Sequence, residues 1–110
     1  MSELQERVAS SSDVAELHAS VPTLLLELQS LLGALGNVVT AGTERGRRPF
    51  RPGPDWANRL GELAYGVYLL ADQTGIDVEQ TIALTAQHLE RRGEQVKAAS
   101  EHGWPFEAGS

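Results

Sequence analysis

Two glutamates are the acids in this chain whose positions among apolar helical residues could support chemistry. Glu27 lies within a run of leucines, and Glu62, the one acid that we expect to find buried, lies beside the apolar stripe of a later segment. If the two segments are facing helices, both carboxylates could offer oxygen ligands to a hard cation such as Mg²⁺. The alternatives are that Glu27 is an exposed flank residue and that Glu62 is a boundary carboxylate paired with Arg59 or with a neighbouring helix.

Four arginines form a second candidate site, in a segment that interrupts the helical pattern. They are Arg45, Arg47, Arg48 and Arg51. The guanidinium group suits bidentate phosphate contacts, and the cluster is locally positive in a chain of formal net charge −6. It could bind a triphosphate, a nucleic-acid backbone or an acidic partner. The alternative is a solvated loop whose arginines pair with the chain's own acids.

Several other kinds of chemistry are excluded or disfavoured by composition and spacing. The chain has no cysteine, which excludes disulfides and thiolate metal sites. His18, His88 and His102 lack metal-ligand spacing within one helix, which argues against a zinc site. There is no nucleophilic-serine motif, phosphate-cradling glycine loop or HExxH motif. The acidic net charge argues against general nucleic-acid binding. We find no resemblance to a signal peptide or a membrane span, so we expect a cytoplasmic protein.

The elements that position these residues are predicted to be helices, because apolar residues recur at spacings of three and four. A weak first helix covers residues 3–19. Its start is expected at Asp13, which has capping-box spacing to Glu16, and the serines at 10–12 are expected to interrupt it. The second helix, from about Val21 to Val39, is capped by Ser20. Its stripe consists of Leu24, Leu28, Leu31, Leu35 and Val38.

The third and fourth helices are predicted on either side of a short turn. The third runs from Trp56 to Thr74 with Asp55 as its cap, and Gly75 ends it. Its stripe consists of Trp56, Leu60, Leu63, Val67 and Leu70. Asp77 caps the fourth helix, which continues to about Ala99. Its inner face is predicted to hold Val78, Ile82, Leu89 and Val96. The short turn predicts antiparallel packing of the two helices.

The domain organisation is simple. Residues 1–100 are predicted to form a single helical domain that contains a long loop at 40–55. A tail follows at 101–110, and its Trp104, Pro105 and Phe106 could dock on the bundle or on a second subunit. The alternative is simple fraying of the tail. A helical domain of this size buries only a modest core, so a partner subunit is a natural way to add buried area.

Three segments in this order resemble the MazG-like all-α nucleotide pyrophosphohydrolases, the group that includes the dCTP pyrophosphatases. They are the opening Leu4–Val8 followed by Asp13 and His18, the stretch Leu24–Leu35, and the stretch Ala64–Asp77, which ends LADQTGID and is the most specific. Together they cover about residues 4–92. The resemblance implies a bundle that forms a dimer or a dimer of dimers. It also implies cleavage of a nucleoside triphosphate to the monophosphate and pyrophosphate.

The family holds magnesium with a Glu-x-x-Glu pair on one helix and a Glu-x-x-Asp pair on the next, and this sequence departs from that pattern. Aligned without gaps from Leu4, the first pair falls on Leu31 and Ala34. A shifted register places it on Glu27 and Ser30. Neither register supplies two acids.

The second pair is also incomplete. Aligned on the turn before the fourth helix, it falls on Arg59 and Glu62, and a shift of three residues gives Glu62 and Tyr65. Glu62 is retained in each register, but a partner is lost every time. Since one or two carboxylates bind Mg²⁺ weakly, the resemblance implies the fold more firmly than the reaction.

These observations predict an all-α, up-and-down helical bundle of the MazG-like type that forms a dimer. The predicted function is that of a catalytically degenerate, homo-oligomeric binding or interaction protein with residual nucleotide affinity. That affinity is assigned to the segment Arg45–Arg51, which we call the arginine loop. The alternative is an active Mg²⁺-dependent nucleoside triphosphate pyrophosphohydrolase with a rearranged site built on Glu27 and Glu62. A third alternative is an unrelated helical hairpin that dimerises through its leucine-rich second helix.

Overall fold

The computed structural model describes residues 2–100, which form four helices and, within that range, no strand. The helices are α1 (Glu3–Val14), α2 (Val21–Gly42), α3 (Trp56–Gln73) and α4 (Val78–Ser100). The predicted all-α class is confirmed. The prediction for Trp104, Pro105 and Phe106 falls outside the described residues.

Helix α1 begins at residue 3, as the predicted range 3–19 does, but it ends at Val14, and the predicted cap at Asp13 is wrong. It begins after Ser2, whose side chain accepts a hydrogen bond from the Gln5 amide, so Asp13 lies near its end instead of starting it. The serines do not interrupt it. The hydroxyls of Ser11 and Ser12 donate to the carbonyls of Val8 and Ala9 in the preceding turn, so the serines are satisfied within the helix.

Helices α2 and α3 form an antiparallel hairpin, the most extensive helix pair in the fold. Ser20 caps α2, as predicted, by accepting from the Thr23 amide. Leu24 packs with Leu69, whereas Gly66, earlier on α3, lies against Leu28, later on α2. Along the contact, residue numbers therefore increase on α2 while they decrease on α3, which makes the two helices antiparallel. The loop between them covers residues 43–55, because α2 extends three residues beyond Val39.

Helix α1 lies across α3, and the core of the chain sits where α1, α2 and α3 meet. Val8, Leu24 and Leu69 form the buried cluster. Tyr65 donates a hydrogen bond of 3.3 Å to the Val8 carbonyl and shares one of 2.6 Å with the Ser11 hydroxyl. These contacts place α1 on one side of the hairpin.

Helix α4 begins as predicted but has few contacts with the rest of the chain. Asp77 caps it through a 3.1 Å bond from the Gln80 amide, and Gly75, at φ 74°, occupies the left-handed position that ends α3. Residues 80–88 are all exposed. The predicted inner face is wrong for Ile82, which is 52% exposed. A short turn joins α3 to α4, but the helices do not pack along their length within one chain.

Candidate functional site

The two predicted metal ligands are not brought into a common site. Glu27 lines a shallow hollow of about 480 Å³ on α2, and Glu62 lines another of about 400 Å³ on α3. The hollows share no lining residue, and both glutamates are exposed, so the expectation that Glu62 is buried is wrong. Within residues 2–100, no group of three or more histidines and carboxylates could hold a metal ion.

Arg59, which one register of the predicted resemblance aligns with a carboxylate of the metal site, has a local partner. Its Nε donates a 2.8 Å bond to Asp55 Oδ2, one turn earlier. This pair also corrects the predicted cap, because the Asp55 side chain makes no capping hydrogen bond at the start of α3. A guanidinium repels a cation, and Leu31 and Ala34 carry no donor atoms in their side chains. The residues present therefore do not fit a magnesium site of the family type.

The arginine loop is built on a tight turn after α2. Glu44, Arg45 and Gly46 have φ values of 47°, 64° and 90°, so three consecutive residues occupy the left-handed region. Buried Thr43 organises the turn. Its hydroxyl donates to the Val39 carbonyl and accepts from the Gly46 amide at 3.0 Å. Glycine adopts a positive φ without steric cost, so Gly46 is unstrained. Glu44 and Arg45 have side chains that disfavour a positive φ, so their backbone is strained.

The turn brings two of the four predicted phosphate ligands together. Arg48 and Arg51 line a hollow of about 380 Å³ with Gly42 and Pro49. Arg48 is also 3.3 Å from Glu44 in an exposed ion pair. Arg45 and Arg47 are exposed and do not line this hollow. The arrangement offers an open cationic surface, and the ion pair there, between Arg48 and Glu44, is exposed.

A polar network at the opposite end of the hairpin was not predicted from sequence. His18 Nε2 lies 2.6 Å from Asp13 Oδ1, and Nδ1 lies 3.1 Å from Gln73 Oε1. The pKa of His18 is raised, chiefly by the Asp13 hydrogen bond and then by that of Gln73. Ser12 also approaches, at 3.3 Å, but on the same Nε2 as Asp13. A Ser-His-Asp catalytic relay needs the serine and the carboxylate on opposite ring nitrogens, so this network is structural.

An apolar surface lies on the hairpin, opposite α1. Successive residues of an α-helix are rotated by about 100°. Tyr65 faces α1, so Val67, two residues later, points to the side of the hairpin away from α1. In two antiparallel right-handed helices, the flank of α2 that carries Leu25 and Leu32 points to the same side as Val67 and Leu60. We call the four exposed residues Leu25, Leu32, Leu60 and Val67 the hairpin face.

The hairpin face is both exposed and continuous. Its members are 41–60% exposed, and half-buried Leu63 and Leu70 continue it along α3. The stripe that the sequence predicted as core is Trp56, Leu60, Leu63, Val67 and Leu70. Leu60 and Val67 are exposed within one chain, whereas Trp56, Leu63 and Leu70 are half-buried, and Leu70 packs against the core cluster. A large contiguous apolar patch of this kind marks an interaction site.

By length and apolar composition alone, α2 could also cross a membrane. Its most apolar window has a mean hydropathy of 1.4, and 11% of that window is buried. Core helices of soluble proteins meet the same criteria. A polar flank with Thr23, Glu27 and Ser30 runs along the helix at spacings of three and four, which is typical of an amphipathic helix.

Comparisons with known proteins identify no family for the chain, so its function is argued from the geometry described above. No protein-family model matches the chain, and neither a curated protein nor a solved structure matches it.

Proposed function

We propose that this chain is a MazG-like helical protein that has lost the family's catalysis and acts as a homo-oligomeric interaction protein. The observation that carries the proposal is the hairpin face. Burying apolar surface is the dominant favourable term in most protein associations, and a second copy offers the same apolar residues in return. Two-fold pairing of one self-complementary patch is the commonest form of oligomer.

The size of the hairpin face agrees with a dimer interface. The 18 residues of α3 span about 27 Å, and two helices side by side are about 20 Å wide. The projected area is therefore on the order of 500 Å², and side-chain relief increases it. A stable interface buries about 800 Å² per partner. The projected area of this side of the hairpin, with its side-chain relief, supplies a large part of that value.

The oligomeric state tests the proposal directly. Sedimentation analysis of the wild-type chain at micromolar concentration should report a dimer or a higher even-numbered oligomer. The double variant Leu32→Gln/Val67→Gln places two amides in the hairpin face, and we expect it to sediment as a folded monomer. A wild-type chain that stays monomeric throughout the micromolar range overturns the proposal.

Leu26→Gln is the control for the double variant Leu32→Gln/Val67→Gln. Leu26 is another exposed leucine of α2, at 64%, but it borders the hollow of Glu27 on the other flank. We expect this variant to remain oligomeric. Circular dichroism checks that both variants keep their helices, and an equal loss of association in both would place the interface elsewhere.

The loss of catalysis rests on the acids that are missing. Leu31, Ala34 and Arg59 occupy three of the four metal-ligand positions in the gapless register, and Glu62 is left without an acidic partner. We expect no magnesium-dependent release of pyrophosphate from any common nucleoside triphosphate. Release that disappears in Glu62→Gln would instead establish the active enzyme.

Residual nucleotide affinity is assigned to the arginine loop, through Arg48 and Arg51. A ligand that binds only the folded state raises the melting temperature by mass action. We expect triphosphates to raise it to the same extent with and without Mg²⁺, because the loop contacts phosphate directly. Arg48→Gln/Arg51→Gln should abolish the shift, and the exposed pair Arg91→Gln/Arg92→Gln on α4 is the control. A shift that requires Mg²⁺ would contradict this assignment.

A further inference from the structure

We propose that the two copies pair with their hairpins antiparallel, so that the arginine loop of each lies at the acidic end of the other. This inference rests on the proposed function, since it assumes that the hairpin face binds a second copy. It adds the orientation of that copy, which apolar contact alone does not decide. The evidence is the separation of charge along the hairpin.

The loop end of the hairpin is basic. Residues 43–59 carry five arginines against two acids. The arginines are Arg45, Arg47, Arg48, Arg51 and Arg59. The acids, Glu44 and Asp55, pair with Arg48 and Arg59. The other three arginines make no ion pair with any residue of the described chain, so the loop end presents unbalanced positive charge.

The opposite end is acidic, because the fold gathers α1 and the α3–α4 turn there. Gln5 Nε2 donates to the Ile76 carbonyl at 2.7 Å, and its Oε1 accepts from the Val78 amide at 3.1 Å. At the other end of α1, the network around His18 connects Asp13 to Gln73 at the end of α3. Both ends of α1 are thus tied to the same end of the hairpin.

This gathering concentrates carboxylates. Residues 3–18 and 72–79 together carry seven carboxylates against one arginine, Arg7, and the imidazole of His18. Glu3, Glu6, Asp13 and Glu16 belong to α1 and the linker after it, on the side of the hairpin opposite the hairpin face. Asp72, Asp77 and Glu79 belong to the α3–α4 turn and its flanks, so the turn contributes most to the charge complementarity. The middle of the hairpin separates the two ends and carries only Glu27 and Glu62.

The separation is long enough for the two ends to act as distinct charges. Helix α3 spans about 27 Å, whereas the Debye length is about 8 Å at physiological ionic strength. A parallel pairing of two hairpins sets basic end against basic end and acidic end against acidic end. An antiparallel pairing sets unlike ends together at both sites. Electrostatic complementarity therefore selects the antiparallel register.

Site-directed crosslinking tests the orientation, because the chain has no cysteine of its own. Gly53→Cys marks the loop end, where a side chain meets nothing within 4 Å. Thr74→Cys marks the acidic end at an exposed position. The two variants are mixed and treated with a flexible bismaleimide. We expect a covalent product that joins the two different variants, and little product when either variant is treated alone.

The outcomes separate the two proposals. Efficient crosslinking of Gly53→Cys to itself shows a parallel dimer and overturns the orientation while leaving the interaction function standing. A chain that is monomeric in sedimentation and forms no crosslinked product overturns the proposed function itself.

A charge-reversal experiment gives a second readout. Arg47→Glu/Arg51→Glu should raise the dissociation constant of the dimer several-fold. Arg91→Glu/Arg92→Glu on exposed α4 changes the net charge equally and should leave the constant within twofold of wild type. The wild-type constant should also rise between about 0.05 M and about 0.5 M salt, because salt screens the attraction. A constant that falls with salt contradicts the antiparallel arrangement.

Discussion

His18 joins α1, the α1–α2 linker and the end of α3 because both of its ring nitrogens face acceptors. Only the protonated imidazole can donate from both nitrogens, to Asp13 on one side and Gln73 on the other. Gln73 in turn bonds both the amide and the carbonyl of Ala19. The protonation of the His18 ring therefore helps to hold α1, the α1–α2 linker and the end of α3 in place.

The raised pKa of His18 predicts a pH-dependent stability. Its pKa is higher in the folded chain than the ordinary value of 6.5. The stabilisation is complete below about pH 6.5 and is lost as the pH rises through the folded pKa. Urea unfolding at a series of pH values should show this fall for wild type. His18→Gln should remove that part of the profile, and exposed His88→Gln should retain it.

Gln5 is fully buried, and both ends of its amide are bonded to the backbone of the α3–α4 turn. Gln5→Ala would leave the Val78 amide and the Ile76 carbonyl without these partners. A buried polar group that loses its partner costs about 1–3 kcal/mol, so we expect that loss in the free energy of unfolding. The control is Gln29→Ala at an exposed position of α2, which should unfold like wild type. Equal stability of both variants would show that Gln5 does not hold the turn.

At the scale of elements, periodicity predicted the number and type of the helices well. The bounds of α2, α3 and α4 differ from their predictions by one to three residues. Periodicity was less informative about which neighbour covers which face. The stripe from Trp56 to Leu70 has core spacing, but only Trp56, Leu63 and Leu70 are half-buried, Leu60 and Val67 are exposed, and the buried residues of α3 are Leu69 and Ala71. The spacing of apolar residues identifies an apolar face of a helix. Which element packs on that face depends on contacts between residues that are far apart in sequence.

Gly66 sets the distance between α2 and α3. A Cβ at this position would lie 2.6 Å from Leu28 Cδ2 and 3.6 Å from Leu28 Cγ. Gly66→Ala therefore forces Leu28 or the helix to move, which costs about 1–3 kcal/mol against a gain of about 1 kcal/mol in helix propensity. Gly61→Ala, on the same helix with nothing within 4 Å, should gain the propensity alone. Thermal unfolding should rank Gly61→Ala above wild type and Gly66→Ala below it.

At the scale of the whole molecule, the single chain buries little. The buried apolar residues are six among those described, while a dozen large apolar residues are exposed. Association would bury part of this surface and link stability to concentration. We expect the melting temperature to rise with protein concentration. A melting temperature that is constant over a hundredfold dilution would contradict the homo-oligomer.

The candidate site was less accessible to sequence reasoning than the fold. The resemblance that the sequence predicts could be compared position by position, and in the gapless register Leu31, Ala34 and Arg59 fall where its pattern has acids, because residue types are local information. It could not reveal that Glu27 and Glu62 line separate hollows, or that Arg48 and Arg51 share one. Those facts depend on helix rotation and on the left-handed turn at residues 44–46. The His18 network depends on a contact across 55 positions.

The bonds that Gln5 makes also impose an order on folding. They join residues 71 and 73 positions apart, whereas α2 and α3 meet across a loop of 13 residues. Closing a longer loop loses more chain entropy, and local contacts form faster. The hairpin should therefore assemble before α1 docks and before the start of α4 is fixed. In amide hydrogen exchange, the hairpin would then be the last region to open, and α1 and the α3–α4 turn would exchange together as an earlier unit.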